Sequence, residues 1–168
     1  MIIIIKDRIS KNNYYLDIAE TVAQRSTCLS KLYGAVIVKN DQIISTGYNG
    51  APRGRKNCCD IGECYRVKHD IHRGQDYTSC RSVHAEQNAI ISTDRASMLG
   101  ATLYISGYDL KINNYVENAN SCSICKRIII NSGIDRVIIR DDKTHYREIL
   151  TKTWIENDDT LDVNRVGY

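Results

Sequence analysis

The chain has 168 residues, of which 42% are hydrophobic and 26% are charged. This composition is typical of a soluble globular protein with no low-complexity tract, and the length predicts a single domain over residues 1–168. The net charge of +3 is too mild to indicate nucleic-acid binding by itself. The apolar run at residues 1–5 is too short to cross a bilayer and lacks the layout of a signal peptide. We expect it to form a terminal strand or a tucked-in end, and we expect no membrane partner.

Helical and strand patterns alternate along the chain. In the first predicted helix, residues 14–27, Leu16, Ala19, Val22 and Ala23 fall on one face. The predicted helices cover residues 14–27, 84–97, 122–132 (ended by Gly133) and 145–152. The predicted strands cover residues 35–38, 42–46, 101–106 and 135–140, and residues 107–120 form a polar excursion or hairpin. This order indicates a mixed sheet covered by helices.

Residues 48–83 form a long predicted loop. A loop of this length is uncommon in a compact domain unless it has a function. It contains Cys58, Cys59, Cys64 and Cys80 together with His69 and His72. Within it, residues 51–73 hold six basic and three acidic residues, a local excess equal to the net charge of +3. This excess could attract a phosphate, or it could belong to an ordinary solvated loop.

Two short motifs carry the chemistry. His84 and Glu86 lie two residues apart at the start of one predicted helix, and Cys122 and Cys125 lie three apart at the start of another. On a first helical turn both thiols face one side. Two thiolates and one imidazole make three zinc ligands and leave the fourth position for water, whose pKa the metal lowers. Glu86 is not needed as a ligand and can move protons between that water and a substrate.

Each motif alone has another explanation. A lone C-x-x-C also occurs as a redox pair or as half of a structural zinc site, and a histidine near a glutamate can be a surface pair. Together, in this order and each at the start of a helix, the two motifs resemble the H-x-E and C-x-x-C signature of the zinc nucleobase deaminases, and we favour that site. Metal ligation also accounts for seven cysteines better than disulfides do, since the number is odd and no export signal is seen.

The chain resembles the cytidine and deoxycytidylate deaminase family, and more narrowly its deoxycytidylate (dCMP) deaminases, over roughly residues 14–140. The matching segments are GAVIVK at 34–39, GYNGAPRG at 47–54, CRSVHAEQNAI at 80–90 and KRIIINSGI at 126–134. The segment at 47–54 distinguishes dCMP deaminases from free-cytidine and tRNA adenosine deaminases, which share the metal site but not usually this loop. One position departs from the family pattern: Ser121 stands where proline usually precedes the first cysteine. Proline ligates nothing and serine can cap a helix, so we expect the site to survive.

The resemblance implies an α/β protein with the three-layer αβα cytidine-deaminase-like fold and a mixed central sheet of about five strands. It implies hydrolytic deamination of dCMP to dUMP and ammonia, which supplies thymidylate synthesis. His84, Cys122 and Cys125 would hold the catalytic zinc, and Glu86 would deliver protons to ring N3 and to the departing amine. Asn49 would recognise the sugar, unless it is only a turn residue with a left-handed backbone. Arg53 would contact the phosphate, and Ala85 would also contact the substrate.

Many members of that family carry a second, structural zinc. Cys28, Cys58, Cys64 and Cys80 fit such a site, which would tie the long loop to the end of the first helix. Cys59 is an alternative to its neighbour Cys58, and His72 is an alternative to one of the cysteines. The other interpretation is a set of buried free thiols.

The resemblance also implies a homo-oligomer, often a hexamer, that is regulated by dCTP and dTTP. We expect a cytoplasmic protein, in the host cytoplasm if the source is a virus, with no nucleic-acid partner. Three other functions stay open. The substrate could be dCTP or CMP, or it could be a polynucleotide base, although one tryptophan, no phenylalanine and the modest charge count against a polynucleotide channel. A zinc-stabilised binding module with a decayed site is supported only by Ser121.

Overall fold

The computed structural model describes residues 8–72 and 76–157. Its helices are α1 (Lys11–Ala23), α2 (Cys58–Ile61), α3 (Tyr65–Lys68), α4 (Ala85–Ile91), α5 (Arg95–Met98), α6 (Ser123–Ser132) and α7 (Thr151–Glu156). Its strands are β1 (Lys31–Lys39), β2 (Gln42–Tyr48), β3 (Thr102–Asp109), β4 (Asn114–Tyr115), β5 (Arg136–Arg140) and β6 (Tyr146–Leu150). The predictions for residues 1–5 and for the charge at Arg73 lie outside the described residues.

The strands form one mixed sheet in the order β2-β1-β3-β5-β6, and the two-residue strand β4 pairs with the end of β3. The β3–β5 pair is parallel, and the other pairs are antiparallel. A parallel pair needs a crossover connection, and α6 lies in the connection between β3 and β5. The prediction of a mixed sheet of about five strands is therefore confirmed. The end of β3 and strand β4 form a hairpin within residues 107–120.

Side chains on the two faces of the sheet enter two separate hydrophobic clusters. On one face, Val36, Tyr104 and Ile138 pack with Leu16 and Ala19 of α1. The other face packs against α4, α5 and α6, and its cluster includes Ala35, Ile37, Leu103, Ile105, Val137, Ile139, Ala89, Met98 and Ile129. Successive strand residues point to opposite faces, so each central strand contributes to both clusters. The result is the predicted arrangement of helix, sheet and helix layers.

Two helix boundaries differ from prediction because polar side chains cap the helices. Helix α1 begins at Lys11, three residues earlier than predicted, because the Ser10 hydroxyl accepts a hydrogen bond from the Asn13 N–H at 3.2 Å. The single helix predicted over residues 84–97 is wrong, since it is split into α4 and α5. Asp94 lies in the break and caps α5 by accepting from the Ser97 N–H at 2.9 Å.

The helix predicted over residues 145–152 is also wrong. Residues Tyr146–Leu150 form β6, which pairs antiparallel with β5, and α7 begins only at Thr151. The turn before β6 is built by Asp142, whose carboxylate accepts from the N–H groups of Thr144 at 2.8 Å and His145 at 2.9 Å. The local sequence is compatible with a helix. The edge of β5, however, presents backbone N–H and C=O groups with which a strand can form hydrogen bonds and a helix cannot. No helix in the described part of the chain is long and apolar enough to span a bilayer.

Glycine at position 47 lets α4 lie directly on strand β2. A Cβ atom at Gly47 would lie 2.3 Å from the Ala89 nitrogen and 2.4 Å from the Ala85 oxygen, both backbone atoms of α4. The Ser45 hydroxyl on the same strand donates to the Ala89 carbonyl, and the Asn88 side-chain amide donates to the Tyr48 carbonyl at 2.7 Å. Helix α4 is therefore held against the sheet by backbone contact at a position where only glycine fits.

The substitution Gly47→Ala is expected to lower the free energy of unfolding by about 1–3 kcal/mol, because α4 must move away from the sheet to admit the methyl group. Urea denaturation of the two proteins measures this difference. The matched control is Thr46→Ala on the same strand, where the side chain is exposed and little change is expected. Equal unfolding midpoints for the native chain and Gly47→Ala would contradict the close approach.

Candidate active site

His84 lies at the N-terminus of α4, and its backbone is fixed on both sides. It occupies the cap position with φ −71° and ψ 156°, and its N–H donates to the Gln87 side-chain oxygen at 3.0 Å. The preceding residue, Val83, forms a bridge with Gly50, with hydrogen bonds of 2.8 and 3.2 Å. The glycine-rich segment at 47–54 is thus in direct contact with the segment that carries His84.

Cys122 and Cys125 lie on the first turn of α6. Cys122 is the cap residue, and its Sγ accepts from the Cys125 N–H at 3.5 Å. The Cys125 side chain is fully buried. The cap position is therefore taken by a cysteine, and the capping that a serine could provide is not used.

The two helix starts bring one imidazole and two thiols together. His84 Nδ1 lies 3.5 Å from Cys122 Sγ and 3.3 Å from Cys125 Sγ. All three ligand atoms lie within 4.8 Å of one another, which no other set of three or more His, Cys, Asp or Glu side chains achieves in residues 8–72 and 76–157. In a tetrahedral zinc site with bonds of about 2.0–2.3 Å, a nitrogen and a sulfur ligand lie about 3.6 Å apart. The three side chains therefore fit a zinc ion that has one open coordination position.

Protons are shared unequally within this cluster. The hydrogen bond from Cys125 lowers the pKa of Cys122 to about 4, and the bond to His84 acts in the same direction. The same hydrogen bond to Cys122 raises the pKa of Cys125, and burial adds to this. The hydrogen bond to Cys122 also raises the pKa of His84. Zinc ligands must be deprotonated, so Cys122 is the thiolate available first, and a metal would displace the remaining protons.

Glu86 is the second residue of α4 and is only 7% exposed. Burial raises the pKa of its carboxyl group, and the nearby His84 partly opposes the rise. A carboxyl group with a raised pKa holds a proton more readily than an ordinary one, which suits a group that accepts and returns protons. The structure therefore places a buried carboxyl group beside the ligand cluster.

His84 and Glu86 open onto a cavity of about 830 Å³, which is large enough for a small-molecule ligand. Its lining includes Asn49, Ala85 and Ser121, together with three basic residues, Lys31, Arg66 and Lys111. Lys31 forms an ion pair with Asp109 at 3.1 Å. The Arg66 guanidinium donates to the carbonyl oxygens of His72 at 2.6 Å and Asp76 at 2.7 Å. The cavity thus joins the buried carboxyl group of Glu86 to a partly cationic rim formed by Lys31, Arg66 and Lys111.

Asn49 is buried in this cavity, and its amide binds the backbone of β1. Its Oδ1 accepts from the Tyr33 N–H at 2.7 Å, and its Nδ2 donates to the Lys31 carbonyl at 2.9 Å. Asn49 is not among the described residues with a positive φ, so its backbone is not left-handed. One Nδ2 hydrogen and one Oδ1 lone pair remain for another partner.

Arg53 is exposed and does not line the cavity. The sequence does not single out Lys31 and Lys111, because they are far apart in the chain. The β1–β3 pairing brings them together, since Lys31 lies opposite Asp109. Arg66 belongs to the basic segment at 51–73, but composition alone does not show which of its cations faces the cavity.

The other cysteines form a second neighbourhood. Cys58 is buried at the start of α2, and its pKa is raised by burial and then by Cys28, Cys64 and Cys80. Cys59 is exposed, and its Sγ lies 3.7 Å from the Asp60 carboxylate. The backbone N–H of Cys59 donates to the Thr27 carbonyl at 3.2 Å, which ties α2 to the segment before Cys28. Cys28, Cys64 and Cys80 thus lie near Cys58, but no three of the four described thiols come within 4.8 Å of one another as the ligand atoms of the His84 cluster do.

Comparison with known proteins agrees with this geometry. The family model described as the cytidine and deoxycytidylate deaminase zinc-binding region matches residues 9–140. The deoxycytidylate deaminase of Mycobacterium phage D29 is 37% identical over 131 residues, which cover 76% of this chain and 91% of that protein. The deoxycytidylate deaminase of Enterobacteria phage T4 is 32% identical over 87% of this chain and 88% of that protein.

A solved structure shows the same fold. The crystal structure of dCMP deaminase from the cyanophage S-TIM5 in apo form superposes with a TM-score of 0.55 and 27% identity. The match covers 78% of this chain and 82% of that one. The predicted cytidine-deaminase-like fold is confirmed by this likeness. Because the family match extends over most of the chain and includes both motifs of the ligand cluster, the chain belongs to the cytidine and deoxycytidylate deaminase family and is a deaminase.

Proposed function

We propose that this chain catalyses the hydrolytic deamination of dCMP to dUMP and ammonia and so supplies dUMP for thymidylate synthesis. The observation that carries the proposal is the ligand cluster, in which His84 Nδ1 lies 3.3 and 3.5 Å from two thiols, beside the buried carboxyl group of Glu86. The substrate is supported by the two phage relatives, each of which is a deoxycytidylate deaminase.

His84, Cys122 and Cys125 would hold the zinc ion. When bound, the ion supplies a water molecule that is acidic enough to act as hydroxide near neutral pH. Glu86 takes a proton from the attacking water and delivers it to ring N3 of cytosine. It then transfers the second proton of that water to the departing amine, which leaves as ammonia. The N–H of Ala85, in the first turn of α4, has no carbonyl partner within the helix and donates to the bound base.

The sugar and phosphate would occupy the outer part of the cavity. Asn49, already held by β1, would offer its remaining hydrogen and lone pair to a sugar hydroxyl. Lys111 and Arg66 are better placed than Arg53 to attract the phosphate, because both line the cavity. The contact predicted for Arg53 stays a prediction and requires the loop at 47–54 to approach the nucleotide.

The test is loss of cytosine absorbance with dCMP, dCTP, CMP and deoxycytidine measured side by side, with Glu86→Ala as the blank. Preference for dCMP that disappears in the variant would support both the reaction and the role of the phosphate. Preference for deoxycytidine would show that the basic residues of the cavity do not select the substrate through its phosphate. No turnover of any of these by the native chain with zinc bound would overturn the proposal in favour of a polynucleotide substrate or a decayed site.

We also propose that Cys28, Cys58, Cys64 and Cys80 hold a structural zinc. Support comes from the burial of Cys58 and from the nearness of Cys28, Cys64 and Cys80 to it, since all three raise the pKa of its thiol. The structure favours Cys58 over Cys59, because the Cys59 thiol is exposed and faces Asp60. His72 lines the same cavity as three of these cysteines, but its side chain is exposed, so four thiolates are the simpler ligand set.

The substitution Cys58→Ser is expected to reduce bound zinc from two ions to one per chain and to lower the melting temperature, because a structural zinc contributes directly to folding. Cys59→Ser is the matched control and should keep both ions. Elemental analysis with thermal melting makes the comparison. A native chain that binds one zinc ion, or a Cys58→Ser variant that keeps two, would contradict the second site.

Three further proposals remain, of which the first rests on chain length and the other two rest on family resemblance alone. The whole chain, residues 1–168, folds as one domain; it assembles as a homo-oligomer, with a hexamer expected; and dCTP and dTTP act as its effectors. Sedimentation velocity with and without each nucleotide tests the assembly, and the dependence of rate on dCMP concentration tests the effectors. A monomer with hyperbolic kinetics, unchanged by either nucleotide, would reject assembly and regulation together.

A further inference from the structure

We infer that the hydroxyl group of Ser121 forms a hydrogen bond with the Glu86 carboxylate and holds it in position for proton transfer. This role deepens the proposed deamination and rests on it. Proline, the residue expected at this position from the family pattern, has no group that could make this bond. Ser121 would thus be a positioning residue that acts through Glu86.

The first observation is the environment of the hydroxyl group. Ser121 is only 3% exposed, and its Oγ has no hydrogen-bond partner among the described residues. Burying a hydroxyl without a partner is unfavourable, so such a group calls for a specific explanation. Capping of α6 does not provide one, because Cys122 occupies the cap position and its own sulfur accepts from the Cys125 N–H.

The second observation is the place of Ser121 in the fold. Ser121 and Glu86 both line the 830 Å³ cavity, with His84 and Cys122. Ser123, on the other side of Cys122, also has a buried hydroxyl without a partner, but it does not line the cavity. Only Ser121 of this pair therefore faces the reaction space.

A hydrogen bond from Ser121 would restrict the rotation of the Glu86 side chain. The carboxylate must face the attacking water, then ring N3, then the amine, and each transfer needs a short donor–acceptor distance. A serine hydroxyl can donate to the ionised carboxylate and can turn to accept when the carboxyl group is protonated. The bond can therefore persist through the whole proton relay.

The experiment compares Ser121→Ala, Ser121→Pro and Ser121→Thr with the native chain. Alanine and proline should each lower kcat by about tenfold or more, the effect of losing a hydrogen bond to a charged group, with KM within about twofold of native. Threonine keeps the hydroxyl and should restore kcat to within about threefold of native. Zinc content should be unchanged in all three. Ser123→Ala is the matched control for deleting a buried hydroxyl beside Cys122, and it should leave kcat unchanged.

A purely structural role predicts the opposite order. If Ser121 only replaces the backbone geometry of proline, Ser121→Pro should equal or exceed the native rate, and that result would overturn the inference. If threonine does not fit the buried site, Ser121→Ala still distinguishes the two roles, because the inference requires a lower kcat with a nearly unchanged KM. Native turnover with unchanged kcat in the alanine and proline variants would reject the role of Ser121 and leave the proposed reaction standing. No turnover by the native chain would reject both.

Discussion

Replacement of Glu86 by glutamine or alanine is expected to lower kcat by about a hundred- to ten-thousandfold, the usual contribution of a positioned acid–base group. Glutamine has nearly the same shape but cannot accept the proton of the attacking water. The carboxyl group is not part of the ligand cluster, so one zinc ion should remain bound at His84, Cys122 and Cys125. Steady-state rates with dCMP and zinc analysis of the same samples measure both effects.

The matched control for this result is Glu156→Gln. Glu156 is an exposed residue at the end of α7, where it pairs with Lys152 at 3.3 Å. It should show native kcat and native zinc content. A Glu86→Gln variant with more than about one-tenth of the native rate would exclude Glu86 as the proton carrier. Loss of zinc from that variant would instead assign Glu86 to the metal site.

Replacement of Cys125 by serine is expected to weaken zinc binding by more than about a hundredfold. Even the loss of a residue that only hydrogen-bonds to a metal ligand lowers metal affinity by about ten- to a hundredfold. The Cys125 side chain is fully buried at 3.3 Å from His84 Nδ1, and a serine hydroxyl at this place is a poor zinc ligand. Turnover should fall below detection. Zinc titration with a competing chelator and the dCMP assay measure the two effects.

The control for Cys125 is Cys59→Ser, which removes an exposed thiol outside the cluster. It should bind zinc and turn over dCMP like the native chain. Excess zinc should restore part of the activity to Cys125→Ser only if the loss arises from weakened affinity. Native zinc affinity in Cys125→Ser would show that His84 and Cys122 bind the ion with a different third ligand.

The chemistry of the ligand cluster could be predicted because it depends on local geometry. His84 and Glu86 are two residues apart, and Cys122 and Cys125 are three residues apart. On a first helical turn, these spacings fix the directions of the two side chains relative to each other. The structure places both pairs at helix starts and brings His84 within 3.5 Å of both thiols. The metal type follows from the kinds of ligand atoms, which the sequence states directly.

The surroundings of the cluster could not be predicted in the same way. Lys31 and Lys111 reach the same cavity only because β1 pairs with β3, and Arg53 is left outside because its turn is exposed. The buried Asn49 amide binds β1 backbone groups that a sequence motif does not reveal. Cys58 and Cys59 have the same side chain, and only the packing of α2 buries one of them and exposes the other.

Residues Tyr146–Leu150 and Ser121 show the same limit. The segment at 146–150 is a strand because β5 presents a free edge, although its composition also suits a helix. Ser121 could be seen to replace a proline, but its burial beside Glu86 without a partner depends on how α6 meets α4. Residue types and short spacings therefore specify the set of metal ligands in this chain. The lining of the cavity and the surroundings of Glu86 depend on side chains that are distant in sequence, and only the pairing of strands and the packing of helices bring them together.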